Sequence, residues 1–164
     1  MTFPRGWRRA LGSQIALGAY MQRISWVPLG RWNYQRCCPA GLTQIARGTL
    51  SPVDALGALA FLLPLAIFWY AGRRRWRWVA AVAIIPHGVW LALQLVTWWP
   101  PYLFGASPRW AAVYARAFVQ ATQVLPRWGA HLPPDAMHLT LQVLLIGVFI
   151  TGVKALLRVE SAEV

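Results

Sequence analysis

The chain of 164 residues is 58% hydrophobic, only 12% charged, and has a mean hydropathy of +0.44. Soluble domains carry about 25% charged residues, so this charge is too sparse to cover a water-exposed globule, and disordered chains are apolar-poor. A multi-pass membrane protein remains, and two cysteines exclude both a disulfide scaffold and a four-thiolate zinc site. Sixteen Lys and Arg against four Asp and Glu give a formal +12. These bases flank apolar stretches and alternate with tryptophans. That pattern suits a lipid bilayer with anionic headgroups rather than nucleic acid, which needs a soluble basic face.

Residues 1–50 form a basic, tryptophan-rich segment with seven arginines and no acid. Leu17, Tyr20, Met21, Ile24 and Val27 recur on one side of a helix over 11–27. Gln14, Gln22 and Arg23 disfavour its insertion, so the segment is read as interfacial and amphipathic, with a fourth span as the alternative. Arg8 and Arg9 do not open a twin-arginine signal, because the stretch that follows is weakly hydrophobic and lacks a small-residue cleavage site. Cys37 and Cys38 are adjacent and so lack the spacing of a dithiol redox motif. An unmodified pair is expected there, with acylation the alternative.

A membrane crossing needs about 20 mostly apolar residues. The first span is expected at 53–71, with Ser51 as cap, Pro52 at the first helical position and Asp54 completing a capping box. Pro64 falls within it, where proline frees a carbonyl and kinks a helix. A basic turn at 73–77 leads to the second span, 78–99, which has no formal charge but contains His87 and Gln94. Trp76 and Trp78 mark one end and Trp98, Trp99 and Tyr102 the other, as paired aromatic belts.

Pro100 and Pro101 are expected to stop that helix. An amphipathic helix follows over 108–125, with Trp110, Tyr114, Ala117, Phe118 and Ala121 on its apolar face. It is read as lying in the headgroup plane, or as a lid over a membrane-embedded site. The third span is 136–157, with Asp135 beside its first turn, Lys154 snorkelling at its far end, and Gly147 and Gly152 as close-approach positions. The tail at 158–164 is too short to be a domain.

Bases within about 15 residues of these spans indicate orientation. Arg73, Arg74, Arg75, Arg77, Lys154 and Arg158 lie on one side; Arg47, Arg109 and Arg127 lie on the other. The 73–77 turn and the C-terminal end are therefore expected in the cytoplasm of a bacterial-type plasma membrane. Counting the whole N-terminal segment reverses the sign. A fourth span over 11–27 removes much of that conflict by bringing Arg5, Arg8 and Arg9 inside.

Polar side chains within spans are costly, so each is a candidate site. His87 and Gln94 share one helix face, as do Asp135, His138 and Gln142. Gln94 and Gln142 lie about 8–9 Å below the same surface. Gln94, Asp135, His138 and Gln142 are thus expected to meet in the outer half of the bundle, while His87 lies deeper. His87 and His138 do not suit one haem iron, because their depths differ by roughly 15 Å. His131, Asp135 and His138 carry ligand chemistry for zinc at the outer surface, although Pro133 and Pro134 break the register between the first two. No cofactor is expected, and no Walker A, G-x-G-x-x-G, G-x-S-x-G or H-E-x-x-H pattern is present.

The expected fold is all-α: an integral membrane protein with three transmembrane helices plus amphipathic interfacial helices, or four spans in the alternative. Three functions compete. The first is a non-enzymatic scaffold or accessory subunit that binds a membrane-protein partner or a second copy of itself. The second is a small transporter or channel protomer using His87, Gln94, His138 and Gln142. The third is a membrane enzyme with Asp135, His138 and His131 at its outer surface.

Overall fold

The structure, a computed structural model, describes residues 5–33, 41–49, 51–52, 55–56, 59, 62–74, 76–118 and 120–158. Asp54, Cys37, Cys38, Arg75 and the 159–164 part of the tail lie outside the described residues. Helices account for the regular structure: α1 (Arg5–Trp26), α2 (Gly41–Ala46), α3 (Leu63–Arg74), α4 (Arg77–Phe104), α5 (Pro108–Ala117) and α6 (Ala136–Arg158). Two isolated bridges occur in the 123–135 region, and no strand is found among the described residues. The chain is all-α, and α4 and α6 are long and apolar enough to cross a membrane.

Apolar side chains at three- and four-residue spacing make one face of α1 continuous, and α6 covers it. Leu17 and Met21 pack against Leu141, Leu145 and Val148, while Trp7 and Ala10 share a cluster with Ala155. Ser13 Oγ and Thr151 Oγ1 share a hydrogen bond of 2.6 Å, and the Tyr20 hydroxyl donates to the Met137 carbonyl at 2.8 Å. The two helices are therefore antiparallel neighbours for most of their lengths. α4 lies on the other side of α6, and α3 closes the ring between α4 and α1. Successive helices in this ring run in opposite directions, the order of an up-and-down four-helix bundle.

Several helix ends differ from the expectation. Pro52, Ala55, Leu56 and Leu59 are helical, but Leu62 forms a turn and the helix resumes at Leu63. Pro64 thus stands in the first turn of α3, where its missing N–H costs no helical bond. α4 runs on through Pro100 and Pro101 to Phe104, against the expected stop, and ends at Gly105 with φ 92°. Tertiary contacts hold the extra turn. Trp98 and Tyr102 are buried, and the Tyr102 carbonyl accepts from His131 Nδ1 at 2.8 Å. α5 ends at Ala117 rather than 125, where the Phe118 N–H closes on the Tyr114 carbonyl. Beyond it the backbone turns back to other partners: Thr122 N–H donates to the Arg31 carbonyl, and Ala136 N–H donates to the Thr122 carbonyl.

Between α4 and α6 the contact is close and reciprocal. A Cβ at Gly88 would come within 2.8 Å of the Phe149 ring, and one at Gly152 within 2.7 Å of Ile84. Gly147, the other position expected to admit a neighbour, faces open space. Overfilling a packed contact costs about 1–3 kcal/mol, whereas changes in open space stay within about 0.5 kcal/mol. Gly88→Leu is therefore expected to lower the thermal midpoint of the detergent-solubilised protein, and Gly147→Ala to leave it nearly unchanged. Equal midpoints for the two variants would rule out the α4–α6 approach as a source of stability.

Candidate functional site

Asp135 is buried and sits immediately before α6, where the unpaired N–H groups of a helix start need an acceptor. Its Oδ1 accepts from the His138 backbone N–H at 2.9 Å, which is N-cap geometry. Its Oδ2 accepts from His138 Nδ1, also at 2.9 Å. One carboxylate thus caps the helix and fixes the imidazole, leaving His138 Nε2 as the ring's acceptor edge when the ring is neutral. Paired in this way, an imidazole can act as a base or as a metal ligand.

Aromatic rings enclose the pair. Trp98 lies 4.4 Å from the His138 ring centroid, and Phe118 meets the same ring edge-on at 5.5 Å. Trp110, Tyr114 and Phe118 pack around Trp98 in turn. The apolar face of α5 is therefore spent on Trp98 and is not turned outward. Trp98 and Tyr102 face inward too, so they do not join a belt as expected; Trp69, Tyr70, Trp76 and Trp78, at the opposite end of the bundle, are exposed. The buried Tyr114 hydroxyl donates to the Pro133 carbonyl at 3.1 Å. Burial pushes this phenol up to about 12; the Asp135 carboxylate adds to the rise and Arg127, over the Tyr114 ring, opposes it.

The other expected residues separate. His131 turns away to the Tyr102 carbonyl and stacks beside Trp128, so it does not join Asp135 and His138. No group of three His, Cys, Asp or Glu among the described residues is placed to hold a metal ion. Gln142 Oε1 accepts from Trp99 Nε1 at 2.9 Å, while Gln94 Oε1 is buried without a hydrogen bond. His87 Nδ1 donates to the Ala83 carbonyl of its own helix. The expected four-residue cluster is thus an Asp135–His138 pair, a Trp99–Gln142 bridge and a separate Gln94, with His87 engaged on its own helix.

Gln14 is the residue that the pattern of α1 conceals. It is 2% exposed, and neither amide atom has a hydrogen bond. Its place between Ala10 and Leu17, on the face of Trp7 and Met21, was the available signal. Comparison of the chain with protein families, with curated proteins and with solved structures finds no match.

Because the folded value of Tyr114 is raised above the ordinary value of about 10, its contribution to stability is complete below that pH. It is lost as pH rises through about 12. Asp135→Asn is expected to lower the Tyr114 value without restoring it to the ordinary one, because burial remains. Phenolate absorbance, with Tyr114→Phe as the blank, measures this; an unmoved titration would show that the carboxylate does not act on the phenol.

Proposed function

We propose that the chain is a four-span protein of a bacterial-type plasma membrane, acting as a non-enzymatic scaffold or accessory subunit. In this reading α1 and the helical stretch ending in α3 cross the bilayer beside α4 and α6. With 22 residues α1 is about 33 Å long, close to the hydrocarbon thickness. The observation that carries the reading is the use made of interior polar groups. Ser13 with Thr151, Tyr20 with the Met137 carbonyl, and Trp99 with Gln142 tie helix to helix. His87 is satisfied within α4. Side chains engaged in this way hold a bundle together, whereas a transport path needs them available to a solute.

Outside the bundle, Val82, Ile85, Val89, Leu93 and Val96 form an exposed stripe along α4, and Val143, Ile146 and Ile150 form another on α6. Such stripes suit lipid tails, a partner helix or a second copy of the chain.

The distribution of bases over the antiparallel ring supports one orientation. Arg5, Arg8 and Arg9 share one end with the 73–77 turn, Lys154 and Arg158, which makes nine of the sixteen bases close to helix ends. The remaining seven are spread mostly over the two long connections. That end is assigned to the cytoplasm by the positive-inside rule.

Reporter fusions at residues 30, 75, 120 and 164 test the topology. Positions 30 and 120 are expected outside, and 75 and 164 inside; residues 30 and 75 on the same side would reject four spans. Gln14→Leu removes a buried, unbonded amide and is expected to stabilise the protein by about 1–3 kcal/mol without loss of co-purifying partner or self-association. A variant that lost its partner or its oligomer, or a wild type that showed neither in mild detergent, would count against a scaffold.

A further inference from the structure

We propose that Gln94 and Gln142 hold one ordered water molecule between α4 and α6, with His138 as its third partner. The helix register brings these side chains to one place. Ile84 against Gly152, Gly88 against Phe149 and Trp98 against His138 are successive contacts of one antiparallel pair. Each step along α4 in this series is matched by about the same number of steps back along α6. Gln94 stands one turn further into the bundle than Trp98, and Gln142 one turn further in than His138. The two glutamines therefore lie at one depth on facing helices, beneath the aromatic rings that surround Trp98.

Hydrogen-bond chemistry selects the occupant. Trp99 Nε1 can only donate, so the Gln142 amide atom that meets it at 2.9 Å is the oxygen. That fixes the amide and leaves Gln142 Nε2 as a donor without a hydrogen bond, on a side chain only 2% exposed. Opposite it, Gln94 Oε1 is a buried acceptor, also without a hydrogen bond. A cation is disfavoured by the Gln142 N–H and an anion by the Gln94 oxygen, so the occupant is neutral and both donates and accepts. Water accepts from Gln142 Nε2 and donates to Gln94 Oε1. Its second proton goes to His138 Nε2, the acceptor of the neutral ring whose Nδ1 is held by Asp135. Three partners are typical of a water inside a protein. The inference goes beyond the scaffold reading and stands on helix contacts rather than on topology. It extends the Asp135–His138 pair into the bundle as a hydrogen-bonded chain that ends on Trp99.

Nuclear magnetic resonance of the full chain in mild detergent, with isotope-labelled Gln and His, tests the site. Cross-peaks from the Gln142 side-chain amide protons to a long-lived water are expected in the wild type. Gln94→Leu removes the acceptor and is expected to abolish these cross-peaks and to shift the His138 Nε2 resonance. Gln94→Glu retains an acceptor oxygen at the same reach and is expected to keep the cross-peaks. Gln14→Leu, on α1, is expected to change neither signal. Backbone spectra and thermal midpoints show that each variant is folded. A wild-type Gln142 amide with no water cross-peak overturns the proposal, as do cross-peaks that survive Gln94→Leu or a His138 resonance that does not move. A Gln142 amide that shifts in Gln94→Leu without ever meeting water overturns it too, by assigning a direct bond between the glutamines.

Discussion

The antiparallel contact of α1 with α6 constrains the rest of the molecule, because it converts a basic leader into a wall of the bundle. Leu17 and Met21 against Leu145 and Val148 bury apolar surface that neither helix covers alone. The same register sets Ser13 beside Thr151 and Tyr20 beside Met137, so depth along one helix is tied to depth along the other. It also brings the N-terminal end of α1 to the end of the bundle where α3 stops and α4 starts, as the Trp7–Phe68 ring contact records. Helix number, charge distribution and the inward aim of Gln14 all follow from this pairing.

Packing, more than hydrogen bonding, then holds the bundle. Interhelical hydrogen bonds in a bilayer contribute about 0.6 kcal/mol each, since a separated helix also finds partners there. Close approach contributes dispersion over a longer contact, and the Gly88–Phe149 and Ile84–Gly152 pairs show both helices yielding space in turn. Trp98 does comparable work at the other end. Its ring collects Trp110, Tyr114, Phe118 and His138, so the connection between α4 and α6 folds onto the bundle.

The apolar runs of α4 and α6 were legible because a membrane helix needs only length and hydropathy. Their ends were not. Pro100 and Pro101 signal a stop by local rules, yet Trp98 and Tyr102 are anchored by tertiary contacts that carry the helix four residues further than Pro100. Trp98 looked like a belt residue because an interfacial indole and a core indole share the same spacing. The Asp135–His138 pair was legible from its i, i+3 spacing, which any helix start places on one face. The partner of Gln142 was not, since depth alone could not choose between Gln94 and Trp99. Gln14 was read as an obstacle to insertion, when its position among apolar neighbours also marked it as inward.

The two ends of the bundle differ in how they treat helix dipoles. At one end, the positive start of α6 meets Asp135, so the sole described acid stands where a negative charge is most favourable. At the basic end, Arg73, Arg74 and Lys154 accompany the C-terminal ends of α3 and α6, which is also favourable. The starts of α1 and α4 share that end, however, and their first turns contain no acid. Trp76 gives α4 no side-chain cap. Two helix starts therefore stand among bases at this end, where the macrodipole and the neighbouring side chains carry the same sign, the reverse of the arrangement at Asp135.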